Sequence, residues 1–137
     1  MSLRYLLDTN ICIYIAKQKP KEVLEKFETL EVGMVGMSTI TYGELLFGAQ
    51  KSQYATKALT NLHQLINFIP AIPLSLKVAE HYGNIRCQLE SKGQLIGNND
   101  LWIASHCLEL GVILVTNNER EFSKVPGLHV ENWVNDA

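Results

Sequence analysis

The chain has few cysteines, prolines and glycines, and no excess of charge of either sign. Its 137 residues include three cysteines, four prolines and nine glycines, which is too few for a disulfide-rich, collagen-like or low-complexity protein. The cysteines Cys12, Cys87 and Cys107 are far apart and form no C-x-x-C pair, so neither a disulfide framework nor a zinc site is predicted. Separate cysteines that form neither disulfides nor metal sites are typical of proteins in the reducing cytoplasm, where we expect the protein to reside.

Long apolar runs and a positive field are also missing. No segment approaches the roughly 18 consecutive apolar residues that a membrane span needs, and the N-terminus lacks the apolar region and cleavage site of a signal peptide. Twelve Lys and Arg against fourteen Asp and Glu give a formal net charge of −2. Any contact with nucleic acid must therefore be local, and we do not expect the chain to bind DNA alone.

The length bounds the number of domains. A chain of 137 residues is long enough for one hydrophobic core and too short for two. No internal repeat, linker or charge block divides it, so a single domain over residues 1–137 is predicted. Residues 1–3 are compatible with a partial cloning remnant.

Short apolar runs rich in branched residues alternate with longer segments of helical periodicity, which is typical of an α/β domain with a parallel sheet. Strands are predicted at 4–7, 33–37, 68–72, 112–116 and, more weakly, 129–132. Helices are predicted between them. The residues that mark the helix ends are Pro20 as a first helical residue, Ser38 or Thr39 and Asn98 or Asn99 as N-caps, and Gly48, Gly93 and Gly111 as stops.

Three carboxylates occupy unusual positions. Asp8 follows the apolar run Tyr-Leu-Leu, Glu44 lies in a largely apolar helix, and Asp100 opens a helix after Gly-Asn-Asn. Burying a carboxylate costs several kcal/mol unless something compensates its charge. In an open parallel sheet, ligands collect beyond the carboxyl ends of the strands, and a site with only oxygen ligands favours Mg²⁺ or Mn²⁺. A shared acidic metal site is therefore predicted.

Each of these acids also has an ordinary structural interpretation. Asp8 could cap a helix over residues 11–17, and Asp100 could simply be a first-turn acid that the helix dipole favours. Glu44 could lie at an exposed edge of its helix. The hypothesis of a shared site therefore depends on the three residues together.

Four motifs occur along the chain in a fixed order and resemble those of one family. They are Leu-Leu-Asp8-Thr9-Asn10-Ile, Ser38-Thr39-Ile40-Thr41-Tyr42-Gly43-Glu44-Leu45-Leu46-Phe47-Gly48, Ile96-Gly97-Asn98-Asn99-Asp100-Leu101-Trp102-Ile103-Ala104, and Leu114-Val115-Thr116-Asn117-Asn118-Glu119-Arg120-Glu121-Phe122. Together they resemble PIN-domain ribonucleases, and more narrowly the VapC toxins of bacterial VapBC toxin–antitoxin modules. The resemblance runs nearly end to end.

The resemblance implies a three-layer α/β/α fold around a short central parallel sheet. It also implies that Asp8, Glu44 and Asp100 bind Mg²⁺ or Mn²⁺ and that the chain is an endoribonuclease for structured RNA, often tRNA. A divalent ion held by carboxylates lowers the pKa of a bound water and stabilises charge on the phosphoryl oxygens. Asp8 and Asp100 are expected to be direct metal ligands, and Glu44 a ligand directly or through water.

The sequence departs from the family pattern near the fourth strand. Where some members have Asp, this chain has Asn118, so Glu121 is the better candidate for a fourth catalytic acid. An amide adds no charge, which weakens the case for two tightly bound metals. Asn10 and Thr116 are expected to support the site as donors beside the strand ends, with ordinary turn or capping work as the alternative.

The position of Arg86 leaves two interpretations open. It lies on a predicted apolar stripe with Tyr82 and Leu89, so its guanidinium could be buried and paired with an acid. Alternatively, it could contact an RNA phosphate or a carboxylate of the cluster. His106 is six residues past Asp100, about 240° around a helix, so it is expected to lie outside the site.

The resemblance also implies partners. They are an antitoxin of the VapB type whose C-terminal segment lies across the active site, a second copy in a homodimer to which helix 55–66 could contribute, and DNA only through the antitoxin.

Two other functions compete with this prediction. An Asp at the end of a first strand can serve as the nucleophile of a phosphatase. Phosphatases of that kind carry a second Asp where this chain has Asn10, and the lysine that they also use has no counterpart that can be assigned here. A PIN-like binding module without catalysis predicts the loss of one of the three acids, and all three are present.

Overall fold

The computed structural model describes residues 2–134. Its strands are β1 (Tyr5–Leu7), β2 (Val35–Ser38), β3 (Ala71–Ile72), β4 (Ile113–Val115) and β5 (Val130–Glu131). They form one sheet in the order β3-β2-β1-β4-β5, and every adjacent pair is parallel. The carboxyl ends of all the described strands therefore lie along the same edge of the sheet, as the alternating pattern predicted.

Seven helices are described, and they cover both faces of this sheet. They are α1 (Thr9–Lys17), α2 (Lys21–Glu28), α3 (Thr39–Gln50), α4 (Ala55–Leu65), α5 (Leu76–Ser91), α6 (Asn98–Leu110) and α7 (Glu119–Phe122). Successive side chains of a strand point to opposite faces. Tyr5 and Leu7 accordingly join a buried cluster with residues of α1 and α2, whereas Leu6 joins a second cluster with residues of α5 and α6. The predicted three-layer α/β/α arrangement is confirmed.

The third predicted strand and the end of the third helix differ from expectation. Residues 68–70 belong to the turn that closes α4, where the amides of Phe68 and Ile69 bond to the Leu65 carbonyl at 3.0 and 2.9 Å, so only Ala71–Ile72 pairs with β2. Helix α3 continues past Gly48, because this glycine faces open space and nothing there interrupts the helical hydrogen bonds.

Two predicted helix starts are also wrong by one or two residues. Pro20 is the N-cap of α2 and not its first helical residue. Gly97 takes the N-cap position of α6 instead of Asn98 or Asn99, and its carbonyl accepts the amide of Leu101 at 2.9 Å. Helix α7 is a single turn, too short for a periodic pattern to reveal it.

Some sequence predictions concern features outside the helices and strands. No helix within residues 2–134 is long and apolar enough to cross a membrane. All three cysteines are free thiols, in agreement with the absence of a disulfide framework. The predicted domain covers residues 1–137, and the predicted cloning remnant covers residues 1–3. Met1 and residues 135–137 lie outside the described residues.

Candidate active site

Asp8 lies directly after β1 and is held at both carboxylate oxygens. Its Oδ1 accepts the amide of Ile11 at 3.0 Å, which caps α1, and its Oδ2 accepts the hydroxyl of Thr116 at 2.5 Å. Only 5% of the side chain is exposed. Burial raises the pKa of Asp8, the bonds from Thr116 and Ile11 oppose this, and the charge of Glu44 raises the pKa further. Asp8 therefore caps a helix and also belongs to an acidic cluster.

Glu44 reaches the same cluster from α3. Ser38, the last residue of β2, caps this helix by accepting the amide of Ile40 at 3.1 Å. The Glu44 side chain is half-buried, and its Oε1 accepts the hydroxyl of Thr9 at 2.7 Å. The interpretation of Glu44 as an acid on an exposed helix edge is therefore wrong. The bond to Thr9, the residue after Asp8, holds the two acids beside one another.

Asp100 and Glu121 form the other half of the cluster. Glu121 Oε1 accepts a hydrogen bond from the backbone amide of Gly97 at 2.9 Å. Its Oε2 accepts one from the side-chain amide, Nδ2, of Asn118 at 2.7 Å. Burial is the largest cause that raises the pKa of Asp100 to about 7; the hydrogen bond with Glu121 and the charges of Glu121, Asp8 and Glu44 add to it. The other three acids expected from the sequence therefore all act on Asp100, and Glu121 is the one that bonds to it.

Three of these acids, Asp8, Glu44 and Asp100, face a small polar cleft of about 160 Å³. Its lining residues are Asp8, Thr9, Asn10, Glu44, Asp100, Asn118 and Phe122. Asn10 and Asn118 are exposed at this cleft. The backbone amide of Asn118 donates to Thr116 Oγ1 at 2.9 Å. Two larger, mainly apolar cavities of about 550 and 560 Å³ contain only Glu44 of the cluster. The titratable chemistry is therefore concentrated in the smaller cleft.

The donor set of this cleft suits a hard divalent cation. Carboxylate, hydroxyl and amide oxygens line it, and such ligands favour Mg²⁺ or Mn²⁺ over softer metals. Within residues 2–134, no group of three or more His, Cys, Asp or Glu side chains is already arranged as a metal site, so the fit depends on the chemistry of the lining oxygens. The charges of Glu121, Asp8 and Glu44 each raise the pKa of Asp100 in addition to its burial, as expected of carboxylates that share a site.

The structure corrects the interpretation of Arg86 as a buried residue. Ile85 and Leu89 form the buried stripe of α5, and Arg86 is exposed beside it. Its guanidinium donates to the Tyr82 hydroxyl at 2.7 Å and lies 3.6 Å from Glu90, so the acid it pairs with is exposed and outside the cluster.

Arg86 is nevertheless connected to the first turn of α6, which carries Asp100. The Tyr82 hydroxyl donates to Asn98 Oδ1, and the Tyr82 ring stacks on Trp102 with centroids 3.9 Å apart and an angle of 14° between the planes. No role in the site was predicted from the sequence for Tyr82 or for Thr9. A polar residue immediately after Asp8 was the available signal for Thr9; nothing in the sequence indicated the bond made by Tyr82.

Comparisons with known proteins identify the family of the chain. The model of the PIN domain matches residues 5–128. The chain is 42% identical to a Haemophilus influenzae protein named Ribonuclease VapC2, over 96% of this chain and 99% of that protein. It is 40% identical to a Shigella flexneri protein named tRNA(fMet)-specific endonuclease VapC, over 96% and 98% of the two chains.

Solved structures show the same likeness. A chain of DNA-bound VapBC from Salmonella typhimurium superimposes with a TM-score of 0.90 at 36% identity and covers 96% of this chain and 99% of its own length. A chain of VapBC2 from Rickettsia felis, bound to a promoter DNA fragment, gives a TM-score of 0.89 at 38% identity, with 96% and 100% covered. The protein thus belongs to the PIN-domain family, in its group of VapC ribonucleases.

Proposed function

We propose that the chain is a Mg²⁺-dependent endoribonuclease toxin of a type II toxin–antitoxin system, with Mn²⁺ as an alternative ion. The observation that carries this proposal is the group of acids around Asp100: Glu121, Asp8 and Glu44 add to the effect of burial, and together these causes raise the pKa of Asp100 to about 7. Carboxylates kept this close without a cation destabilise the fold, so their arrangement fits a binding function.

Asp8 and Asp100 are the proposed direct ligands, with Glu44 a ligand directly or through water. When bound, the ion supplies a water of lowered pKa as nucleophile and stabilises charge on the phosphodiester. Thr116 and the Ile11 amide fix the orientation of Asp8, and Thr9 fixes that of Glu44.

Glu121 is the proposed acid that regulates the protonation of Asp100. The Gly97 amide and Asn118 hold its two oxygens, so its contact with Asp100 is fixed. Without a cation, Asp100 keeps its proton to near neutral pH. Ligand carboxylates must be ionised, so cation binding is expected to release this proton to solvent.

Structured RNA is the proposed substrate, and tRNA the proposed class. Two relatives, from Shigella flexneri and Salmonella typhimurium, carry the name tRNA(fMet)-specific endonuclease. The net charge of −2 limits phosphate binding to local contacts. Arg86 is the proposed contact, because its guanidinium is exposed and its bond to Tyr82 ties it to the helix that carries Asp100.

A VapB-type antitoxin is the proposed partner, since the similar solved chains occur in VapBC complexes and two of these include DNA. DNA binding would then come through the antitoxin. A homodimer is proposed as the assembly, and the cytoplasm as the location, in keeping with three free thiols.

Cleavage of purified tRNAs and of a generic single-stranded RNA, with Mg²⁺, Mn²⁺ or EDTA, tests this function. Cleavage should require metal and should vanish in Asp8→Asn and Asp100→Asn, whereas Glu80→Gln, which changes an exposed acid of α5, should keep full activity. Equal traces from folded wild type and both site variants would refute the nuclease and favour the binding module.

A further inference from the structure

His106 is a buried polar residue that the proposed chemistry does not use. It lies in α6, 1% exposed, with Nδ1 2.8 Å from Ser38 Oγ. Its Nε2 has no partner in hydrogen-bonding geometry among residues 2–134. Burial lowers the pKa of His106, and the Pro73 backbone and Glu109 oppose this only in part. The ring is therefore neutral at physiological pH.

Ser38 can bond to His106 and to α3 at the same time. Its Oγ accepts the Ile40 amide as the N-cap of α3 and keeps a proton that it can donate to His106 Nδ1. One serine hydroxyl therefore contacts both the first turn of α3 and a side chain of α6.

The contact joins the two helices that carry opposite sides of the acidic cluster. Ser38 ends β2 and begins α3, which holds Glu44. His106 follows Asp100 in the same helix, α6. The bond between them is a buried side-chain hydrogen bond between residues 68 positions apart. It fixes the start of α3 against α6 by a directional contact, which apolar packing does not provide.

We infer that His106 is a positioning residue: through Ser38 it sets the separation of Glu44 and Asp100 and thereby the affinity of the cleft for a divalent cation. This inference rests on the proposed function, because it assumes that the cleft binds such an ion. His106 itself touches neither the ion nor the RNA, since its ring is enclosed by the core.

Direct Mn²⁺ binding, measured by electron paramagnetic resonance of the free ion, tests this inference without reference to activity. His106→Leu keeps much of the volume and removes the acceptor, and it should weaken Mn²⁺ binding by about tenfold, the lower end of the range for residues that orient metal ligands. His106→Asn restores an acceptor near the position of Nδ1 and should recover most of the affinity. Thermal melting establishes that each variant is folded.

Ser105→Ala is the matched control. Ser105 is the neighbouring buried polar residue of α6, but its hydroxyl bonds only within the helix, to the Leu101 carbonyl at 2.7 Å. Its loss should leave Mn²⁺ affinity unchanged. Ser38→Ala removes the other partner of the contact and also the N-cap of α3, so it should lose at least as much Mn²⁺ affinity as His106→Leu, with no further loss when His106→Leu is added to it. If His106→Leu does not fold, Ser38→Ala takes its place, and equal Mn²⁺ affinity in wild type and folded Ser38→Ala would then overturn the inference.

Three results would count against the inference. Equal Mn²⁺ affinity in wild type and folded His106→Leu would overturn it and leave the proposed function intact. Additive losses in the double variant would overturn the action through Ser38. No Mn²⁺ binding by wild type would overturn both the inference and the proposed function.

Discussion

Replacing Asp100 by Asn should stabilise the metal-free protein at alkaline pH. The pKa of Asp100 rises from 3.8 to about 7 on folding, which corresponds to about 4 kcal/mol at about 1.36 kcal/mol per pKa unit. Asp100 is only partly buried, so solvent screening reduces this to about 1–2 kcal/mol. The Asn amide can still donate to Glu121, so the variant removes the charge and keeps the contact.

The sign of the pH dependence follows from the raised pKa. Between about pH 4 and 7 the folded state holds a proton that the unfolded state has released, so this group's contribution to stability is full below about pH 4 and is lost as the pH rises through 7. Wild type should therefore lose stability relative to Asp100→Asn over this interval. Above pH 7 the difference should stay constant.

Urea denaturation in EDTA at pH 5 and pH 8 measures this difference, with Glu80→Gln as a control for removing an exposed acid. Addition of Mg²⁺ at ten times its Kd should stabilise wild type by about 1.4 kcal/mol and leave Asp100→Asn nearly unaffected. If Asp100→Asn were no more stable than wild type at pH 8 in EDTA, burial and the neighbouring acids would not raise the pKa of Asp100, and the reasoning would be refuted.

Three further predictions concern single contacts. Thr116→Val removes the donor to Asp8, so the Mg²⁺ concentration for half-maximal cleavage should rise about tenfold; Thr60→Val, whose hydroxyl bonds only to Thr56 of its own helix, should not change it. Arg86→Ala should leave the melting temperature unchanged but weaken RNA binding and reduce its salt dependence by about one phosphate contact, and an unchanged salt slope would contradict that contact. Gly36→Ala places a Cβ 3.1 Å from Ile72 Cγ1 and 3.2 Å from Leu3 Cδ1, so urea denaturation should show a loss of about 1–3 kcal/mol; Gly83→Ala, a helical position with open space around it, should instead gain about 0.5–1 kcal/mol.

The sequence predicted the sheet and the four acids because both depend on local patterns. Each strand is a short apolar run, and Asp8 follows one directly, so its place at the edge of a parallel sheet was implied by chain order. Asp100 was indicated by its place at the start of a helix after Gly-Asn-Asn, whereas Glu121 was found by resemblance. The helix starts were less certain, since Gly97 as N-cap leaves no side-chain signature.

The contacts that support the acids were not predictable in the same way. Thr116 was expected to be a donor beside the site, but its partner Asp8, 108 positions away, was not predicted. The bond from Thr9 to Glu44 spans 35 positions, and no local pattern encodes such pairs. Arg86 was wrongly predicted to lie on the buried stripe of α5, to which the preceding residue, Ile85, belongs. One residue corresponds to about 100° around a helix, which is enough to separate a buried position from an exposed one.

The two roles of Asp8 have a consequence for how an inactive form of the toxin could arise. Its Oδ1 caps α1 and its Oδ2 accepts from Thr116. Asn is as good an N-cap as Asp, so exchanging one carboxylate oxygen for an amide nitrogen can keep the cap while removing the charge. A single substitution can therefore separate folding from catalysis. A cell that carried such a chain would hold a folded, harmless copy with the same outer surface, which could bind the antitoxin and so change the amount of antitoxin left to restrain the active protein.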